Sequence, residues 1–342
     1  MAASDDGTAG SGEFEILARV RKRLASGVVP GQGGSPESHL LRQPQPGEVF
    51  SGDDTAVLVP PPGRSLFAID LVVEGVHVDL SLGSLADAGW KAISVNVSDI
   101  AAMGGRPLYV VAGVSAPPGT DLDDLTDGMI QACAAYGAAL VGGDLTGGER
   151  LVIAVAIIGT CEQRDPVLRS GARPGDDIWV TGALGLSAAG LELLRRVPEH
   201  TDPAAGRAIQ AYRRPTARVS EGVTAAVEGA TAMIDVSDGL AKDLDHVATE
   251  SGVGVRLAAV PVAETASLDQ ALGGGEDYEL AFTAPAAAAG GILRAFSDAA
   301  LRAPIRIGEC VDDASERTLE SRPLDIVGWE HSFGAGRSSR AR

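Results

Sequence analysis

The amino-acid sequence predicts an α/β fold of the mixed (α+β) kind, built as two halves. Three observations carry that expectation. Apolar segments of strand period and of helix period alternate along most of the chain. A length of 342 residues suits roughly two domains with ample cores. A turn signal, Arg173-Pro-Gly-Asp176, opens a second alternation and sets a seam within 160–175.

The elements follow in order. Residues 1–12 are small, polar and acidic, and are expected to form a disordered tail. Over Glu13–Leu24, Phe14, Leu17, Val20 and Leu24 recur at helical spacing. Gly27–Gly47 is rich in Gly, Pro, Ser and Gln without periodicity, so a long mobile loop is expected. Leu66–Val73 reads as a strand. Leu85–Met103 reads as a helix with Trp90, Ile93, Val97, Ile100 and Ala101 on one face. Leu108–Val114 is a strand, and Leu122–Tyr136 a helix capped by Thr120 or Asp121. Leu151–Gly159 is a strong strand.

The second half begins with a strand at Asp177–Thr181 and a helix through Leu186 and Leu194. A short apolar strand, Ala232–Asp235, runs into Val-Ser-Asp-Gly and a helix bearing Leu240, Leu244, Val247 and Ala248. Further strands are expected at Gly254–Leu257, Tyr278–Thr283 and Ile305–Gly308. The stretch after Phe333 is rich in Arg, Ser and Gly and is expected to be disordered.

Composition excludes several functions. The formal net charge is −18, which argues against nucleic acid and anionic membranes as main partners. Three separated cysteines, Cys133, Cys161 and Cys310, form no C-x-x-C, so neither a disulfide framework nor a zinc site is supported. The acidic start lacks the features of a signal peptide, and the apolar run Leu151–Ile158 is far short of a membrane span. A reduced, cytoplasmic protein is expected. Lysine occurs only at 22, 91 and 242, never after Gly, so there is no P-loop. No His is followed by Arg-Asp, and no G-x-G-x-x-G occurs. A nucleotide would need another device.

Acidic residues beside glycines at element ends offer one. They stand at Gly52-Asp53-Asp54, Asp70, Ser98-Asp99, Gly142-Gly143-Asp144, Asp235-Val-Ser237-Asp238-Gly239 and Gly274-Gly275-Glu276-Asp277. Glycine allows tight turns and close backbone approach. Converging carboxylates hold hard cations such as Mg²⁺, which bridge phosphates. Any single Asp-Gly pair is more often a turn or a cap, but six clusters together point to a multi-metal site. His77, in Glu74-Gly-Val-His77, is alone more often structural. Trp329 beside Gly328 is either packing or a platform for a flat ligand. Arg169 is either a surface charge or a phosphate contact.

Taken together these runs resemble the thiamine-monophosphate kinase family, of the superfamily that includes aminoimidazole ribonucleotide (AIR) synthetase. The matching segments are Gly12-Glu-Phe-Glu-Ile-Leu, Gly52-Asp-Asp-Thr-Ala, Asp70–His77, Lys91–Gly104, Gly142-Gly-Asp144, Arg169-Ser-Gly, Asp235–Gly239, Gly274–Leu280 and Gly328-Trp-Glu-His331. They cover nearly the whole chain, in family order.

The resemblance implies an AIR-synthetase-like fold of two domains. Residues 13–165 would be the N-terminal mixed-sheet domain, binding ATP and Mg²⁺ and dimerising; 166–333 would be the C-terminal α/β domain; 334–342 would be a tail. It implies ATP-dependent phosphorylation of thiamine phosphate to thiamine diphosphate by a homodimer. Asp53, Asp54, Asp70, Asp99, Asp144, Asp235 and Asp238 would bind several Mg²⁺ ions. Gly143, Asp144, Arg169 and Ser237 would touch ATP; His77, Glu276 and Trp329 would touch thiamine phosphate. No side chain is expected to act as acid, base or covalent nucleophile.

The chain departs from the family pattern in places. Ala68 and Ile69 stand where hydroxyl residues are usual before the strand-ending Asp, and Leu145 follows Asp144. Selenophosphate synthetase is disfavoured, since no Cys precedes Gly52-Asp53-Asp54, and so is the hydrogenase-maturation member, whose C-terminal Cys is missing. AIR synthetase and a non-catalytic Mg²⁺-nucleotide-binding protein are the alternatives.

Overall fold

The computed structural model describes residues 13–30, 41–51, 53–196 and 202–331. The expected tails, the middle of the 27–47 loop, Gly52 and Phe333 lie outside the described residues. The first half contains α1 (Glu13–Ser26), β1 (Ser65–Val73), α2 (Leu85–Ala102), β2 (Arg106–Ala116), α3 (Leu122–Tyr136), β3 (Ala139–Gly147) and β4 (Val152–Thr160). The second begins with β5 (Asp176–Val180), α4 (Leu186–Arg196), α5 (Pro203–Arg213), α6 (Val219–Val227), β6 (Ala232–Asp235), α7 (Leu240–Ser251) and β7 (Gly254–Leu257). It ends with α8 (Leu268–Gly273), β8 (Leu280–Pro285), α9 (Ala289–Asp298), β9 (Ile305–Val311), β10 (Arg317–Leu319) and β11 (Arg322–Pro323).

The first sheet has the order β1-β4-β2-β3, antiparallel except for the parallel pair β2–β3. Strand alternation sends Val72, Val110, Ala112, Val114, Ile153, Val155 and Ile157 to one face, where α2 and α3 bury them. Helix α2 starts with a capping box: Ser84 Oγ accepts the Asp87 N–H and the Asp87 carboxylate accepts the Ser84 N–H, both at 3.1 Å. Helices α2 and α3 touch backbone to backbone, since a Cβ on Gly128 would sit 1.9 Å from the Ala86 carbonyl oxygen. The opposite face of the sheet carries Phe67, Ile69, Leu71 and Val111, all exposed; Phe67 is 73% exposed.

The second sheet has the order β11-β10-β7-β9-β5-β8-β6, with one parallel pair, β7–β10. On one face α7 packs Leu240, Leu244, Val247 and Ala248 against Ile178, Val180 and Val255. On the other, α6 and α9 cover a column in which Trp179, Phe282 and Phe296 stack. Ala101 and Ala102 at the end of α2 belong to that second cluster. A Cβ on Gly222 in α6 would lie 2.2 Å from the Ala101 carbonyl oxygen. Helix α2 therefore packs on both sheets.

The strongly periodic segments fold as expected. Asp121 is the cap of α3, accepting the N–H groups of Asp123 and Asp124. Strand β3 and helices α5, α6, α8 and α9 were not foreseen. The expected mobile loop differs at both ends: Val29 and Leu41 are buried against Ile130 and Ala134, so the flanks of 31–40 are packed on α3. Among the described residues no helix is long and apolar enough to cross a membrane.

Candidate active site

Three carboxylates from three elements lie within electrostatic reach of one another: Asp70 on β1, Asp99 on α2 and Asp235 at the end of β6. Buried α2 side chains hold the two strands that carry the others. Asn96 accepts the Asp70 N–H at 3.0 Å, and Ser98 Oγ donates to Asp235 at 2.7 Å. Burial, then Asp235 and Asp70, push the Asp99 carboxyl up to about 8. Burial and Asp235 raise Asp70, and burial raises Asp235 itself. Arg169 opposes the rise at Asp99 and Asp235. A cluster of acids this short of counter-charge matches a hard cation, because oxygen donors suit Mg²⁺. Among the described residues no three acidic, His or Cys side chains form a closed cage for an ion.

Two cavities meet at Asp99, Arg169 and Asp235. One, of about 510 Å³, is walled by Leu66, Phe67, Ala68, Met103, Leu168 and Met233, with His246 and Glu250 at its edge. The other, of about 400 Å³, holds Asp70, His77, Lys91, Ser237, Asp238, Glu276 and Trp329. Helix α2 lines it with Lys91, Val95 and Asp99, a stripe at i, i+4 and i+8.

The Val236–Gly239 turn is set by Asp243, whose Oδ2 accepts the N–H groups of Ser237, Asp238 and Gly239, each at 3.1 Å. Asp238 pairs with Lys242 at 2.9 Å, and its carbonyl accepts the Trp329 N–H at 2.9 Å. Lys242 also donates to the Trp329 carbonyl, which straps the 326–331 segment over this turn. The His77 Nδ1 accepts the Val73 N–H at 3.1 Å, leaving Nε2 as the protonated nitrogen. Burial lowers its pKa, so the ring is neutral at pH 7. His331 packs edge-on to both His77 (5.3 Å) and Trp329 (5.8 Å).

Glu276 has φ +56, in the left-handed region that non-glycine residues rarely adopt. Its oxygens both accept from Lys91 at 3.0 Å. Its acidic neighbours are engaged elsewhere. Asp277 accepts the Gly185 and Ser187 N–H groups at the start of α4. Glu279 accepts from Thr181, Arg218 and Arg302.

The structure thus brings Asp70, Asp99, Asp235, Asp238, Arg169, Ser237, His77, Glu276 and Trp329 to one cavity. It does not bring Asp53, Asp54, Gly143 or Asp144 there within one chain. Asp53 and Asp54 are exposed in a turn closed by the Val49–Val57 bridge. Asp144 pairs with Gly113, Gly113 with Ala154, and Ala154 with Leu71. Paired residues share a face, so Asp144 lies on the outward face with Leu71, and Asp70 faces the other way. Gly143 also has a packing reason, since a Cβ there would lie 2.2 Å from the Ala112 carbonyl oxygen. Of the departures, Ala68 faces the larger cavity and Ile69 points outward, 59% exposed. Sequence reasoning missed Lys91, Asp243, Asn96 and His331. Only the scarcity of lysine singled out Lys91.

Residues 52–161 match the family described as AIR synthase related protein, N-terminal domain, and residues 173–319 match its C-terminal domain. The thiamine-monophosphate kinase of Corynebacterium glutamicum is 38% identical over 283 residues, covering 76% of this chain and 84% of that relative. The crystal structure of thiamine-monophosphate kinase from Stenotrophomonas maltophilia K279a superposes with a TM-score of 0.75 at 30% identity, covering 90% of this chain and 96% of that one. AaThiL complexed with AMPPCP and TMP superposes with a TM-score of 0.70 at 31% identity, covering 94% and 97%. The chain belongs to the thiamine-monophosphate kinase family, with the two-domain fold of the AIR synthase related proteins.

Proposed function

We propose that the protein phosphorylates thiamine phosphate to thiamine diphosphate with ATP, by direct in-line transfer assisted by several Mg²⁺ ions. The observation that carries this is the acidic cluster standing where two cavities meet, so that two phosphate-bearing ligands can each reach it from a cavity of its own. Similarity to a protein complexed with AMPPCP and TMP supports the same pair of ligands.

The acceptor is a phosphate monoester with a second pKa of about 6, largely dianionic at pH 7. It is already a nucleophile and needs no general base. The barrier is repulsion: two unit charges 4 Å apart cost about 4 kcal/mol at an effective dielectric of 20. Asp70, Asp99, Asp235 and Asp238 would hold Mg²⁺, which supplies charge neutralisation and polarises the transferred phosphoryl group. Arg169, at the junction, is suited to fork onto phosphate oxygens, and Ser237 to donate to one. Neutral His77, Glu276 and Trp329 orient the acceptor in the smaller cavity.

Asp53, Asp54, Gly143 and Asp144 join this reading through a second copy of the chain. The outward face with Phe67, Ile69, Leu71 and Val111 is an apolar surface of the kind that pairs between subunits. Asp144 shares that face, so a homodimer closing on it would take Asp144 into the interface. In this reading 13–165 and 166–333 are the two domains, and the cleft runs between them. Three unpaired, buried cysteines suit the reducing cytoplasm.

Direct transfer is tested with ATP labelled in the γ-phosphate. The label is expected in thiamine diphosphate alone, and a trapped labelled phosphoprotein contradicts the mechanism. ATP binding with no ADP formed across a substrate panel would favour a non-catalytic protein, and phosphorylation-driven ring closure of an AIR-synthetase substrate would favour that enzyme.

A further inference from the structure

Lys91 is 2% exposed, deep in the wall of the smaller cavity. An ammonium group has three donors. Here they meet Glu276 Oε1 and Oε2, each at 3.0 Å, and the His77 carbonyl oxygen at 3.2 Å. The ring of Tyr212 lies 4.3 Å from Nζ and takes the remaining side of the charge. No donor is left over for a phosphate. Lys91 therefore cannot bind a phosphoryl group as the lysine of a P-loop does, although it faces the cavity.

Its partners come from both halves of the molecule. His77 sits on the turn after β1, and Glu276 on the loop before β8. The carbonyl that Lys91 grips belongs to the residue whose imidazole faces the cavity, and the Val73 N–H fixes that imidazole from the other side. Glu276 has a left-handed backbone, which persists in a non-glycine residue only where its surroundings over-determine it. The two bonds from Lys91 are such a constraint. They also cancel the charge of a carboxylate that would otherwise repel a dianionic acceptor.

We propose that Lys91 is a positioning residue for the acceptor: through Glu276 and the His77 carbonyl it sets the width and charge of the thiamine phosphate half of the cleft. The inference rests on the functional reading above and deepens it.

The test compares K91M, E276Q and K91M/E276Q with the wild-type enzyme, measuring KM for thiamine phosphate, KM for ATP and kcat. K91M keeps the aliphatic stem and removes the charge. It is expected to raise the KM for thiamine phosphate about tenfold while the KM for ATP stays within about twofold. In the E276Q background the same substitution is expected to change the thiamine phosphate KM by clearly less than it does in the wild-type enzyme, because the larger of its two routes of action is gone and only the His77 carbonyl contact remains. An equal rise in both KM values would mark Lys91 as merely structural and overturn the inference. A further tenfold rise in the E276Q background would mean direct substrate contact and overturn it too. If K91M alone fails to fold, because it leaves the half-buried Glu276 carboxylate without its cation, the comparison within the E276Q background decides. Wild-type enzyme that leaves thiamine phosphate unphosphorylated would instead overturn the functional reading.

Discussion

Asp238 shows how a residue reads differently in sequence and in space. By position before Gly239 it could have been a helix cap, yet α7 has no side-chain cap, and the turn is held by Asp243 instead. The Asp238 carboxylate is thereby released to the cavity, where Lys242 is its partner. D238N should lower kcat by about 10- to 100-fold, with a melting temperature close to wild type by circular dichroism. Unchanged turnover would return Asp238 to a structural role. The segments that carry Asp70, Asp99 and Asp235 have clear periods and were legible, but Asp70, expected at a strand end, lies inside β1 three residues before Val73, and the meeting of the three acids comes from packing. Asp144 looked the same in sequence. Its face depends on which strand β3 pairs with, and that register is not written locally. Asp243 and Asn96 were illegible because they hold backbone N–H groups rather than ligands, and no motif marks such partners.

Among the elements, α2 does the most to build the site. It packs on both sheets, presents Lys91 and Asp99 about 12 Å apart along its axis at 1.5 Å per residue, and supports Asp70 and Asp235 through Asn96 and Ser98. Its seat depends on the close approach to α3 at Gly128. G128A forces a methyl onto the Ala86 backbone and should cost about 1–3 kcal/mol in urea unfolding; an unchanged midpoint would show that the helices can part freely. Helix α4 is held by Asp277, whose carboxyl burial pushes up from 3.8 to about 7. Between those values the folded protein keeps a proton that the unfolded chain has released, so stability falls as pH rises through that window. D277N keeps an acceptor but cannot ionise. Its unfolding free energy should drop less than wild type between pH 5 and pH 8, and parallel pH profiles would refute the assignment. Long periodic elements were legible in sequence. Strand β3 was not, since Gly-Gly-Asp-Leu-Thr-Gly has the composition of a turn and is extended only by pairing with β2. Helix α5 was missed because it holds few large apolar residues, and its start is an Asp202-Pro203 cap.

For the whole molecule, the α/β class and the two halves follow from the alternation of periods and the turn signal at Arg173, whereas the mixed character of the sheets rests on the parallel pairs β2–β3 and β7–β10, whose β3 and β10 the periods did not show. How the sheets face each other, with two cavities meeting at one acidic cluster, comes from tertiary packing that only the structure supplies. The net charge of −18 is partly concentrated at that junction, where it favours cations and through them phosphates. In the proposed homodimer the apolar outer face of the first sheet is the interface. V111D places a charge at its centre and should shift the species seen by light scattering from twice the 34.8 kDa chain mass to the chain mass itself. A variant of undiminished mass would exclude that face as the interface. In the proposed reaction the two cavities serve ATP and a phosphorylated acceptor. Its most direct test is incubation of the enzyme with ATP, Mg²⁺ and thiamine phosphate, with free thiamine in a parallel reaction. Thiamine diphosphate and ADP in equal amounts, and no product from free thiamine, is the expected result; ADP release without thiamine diphosphate, or phosphorylation of free thiamine, would contradict it.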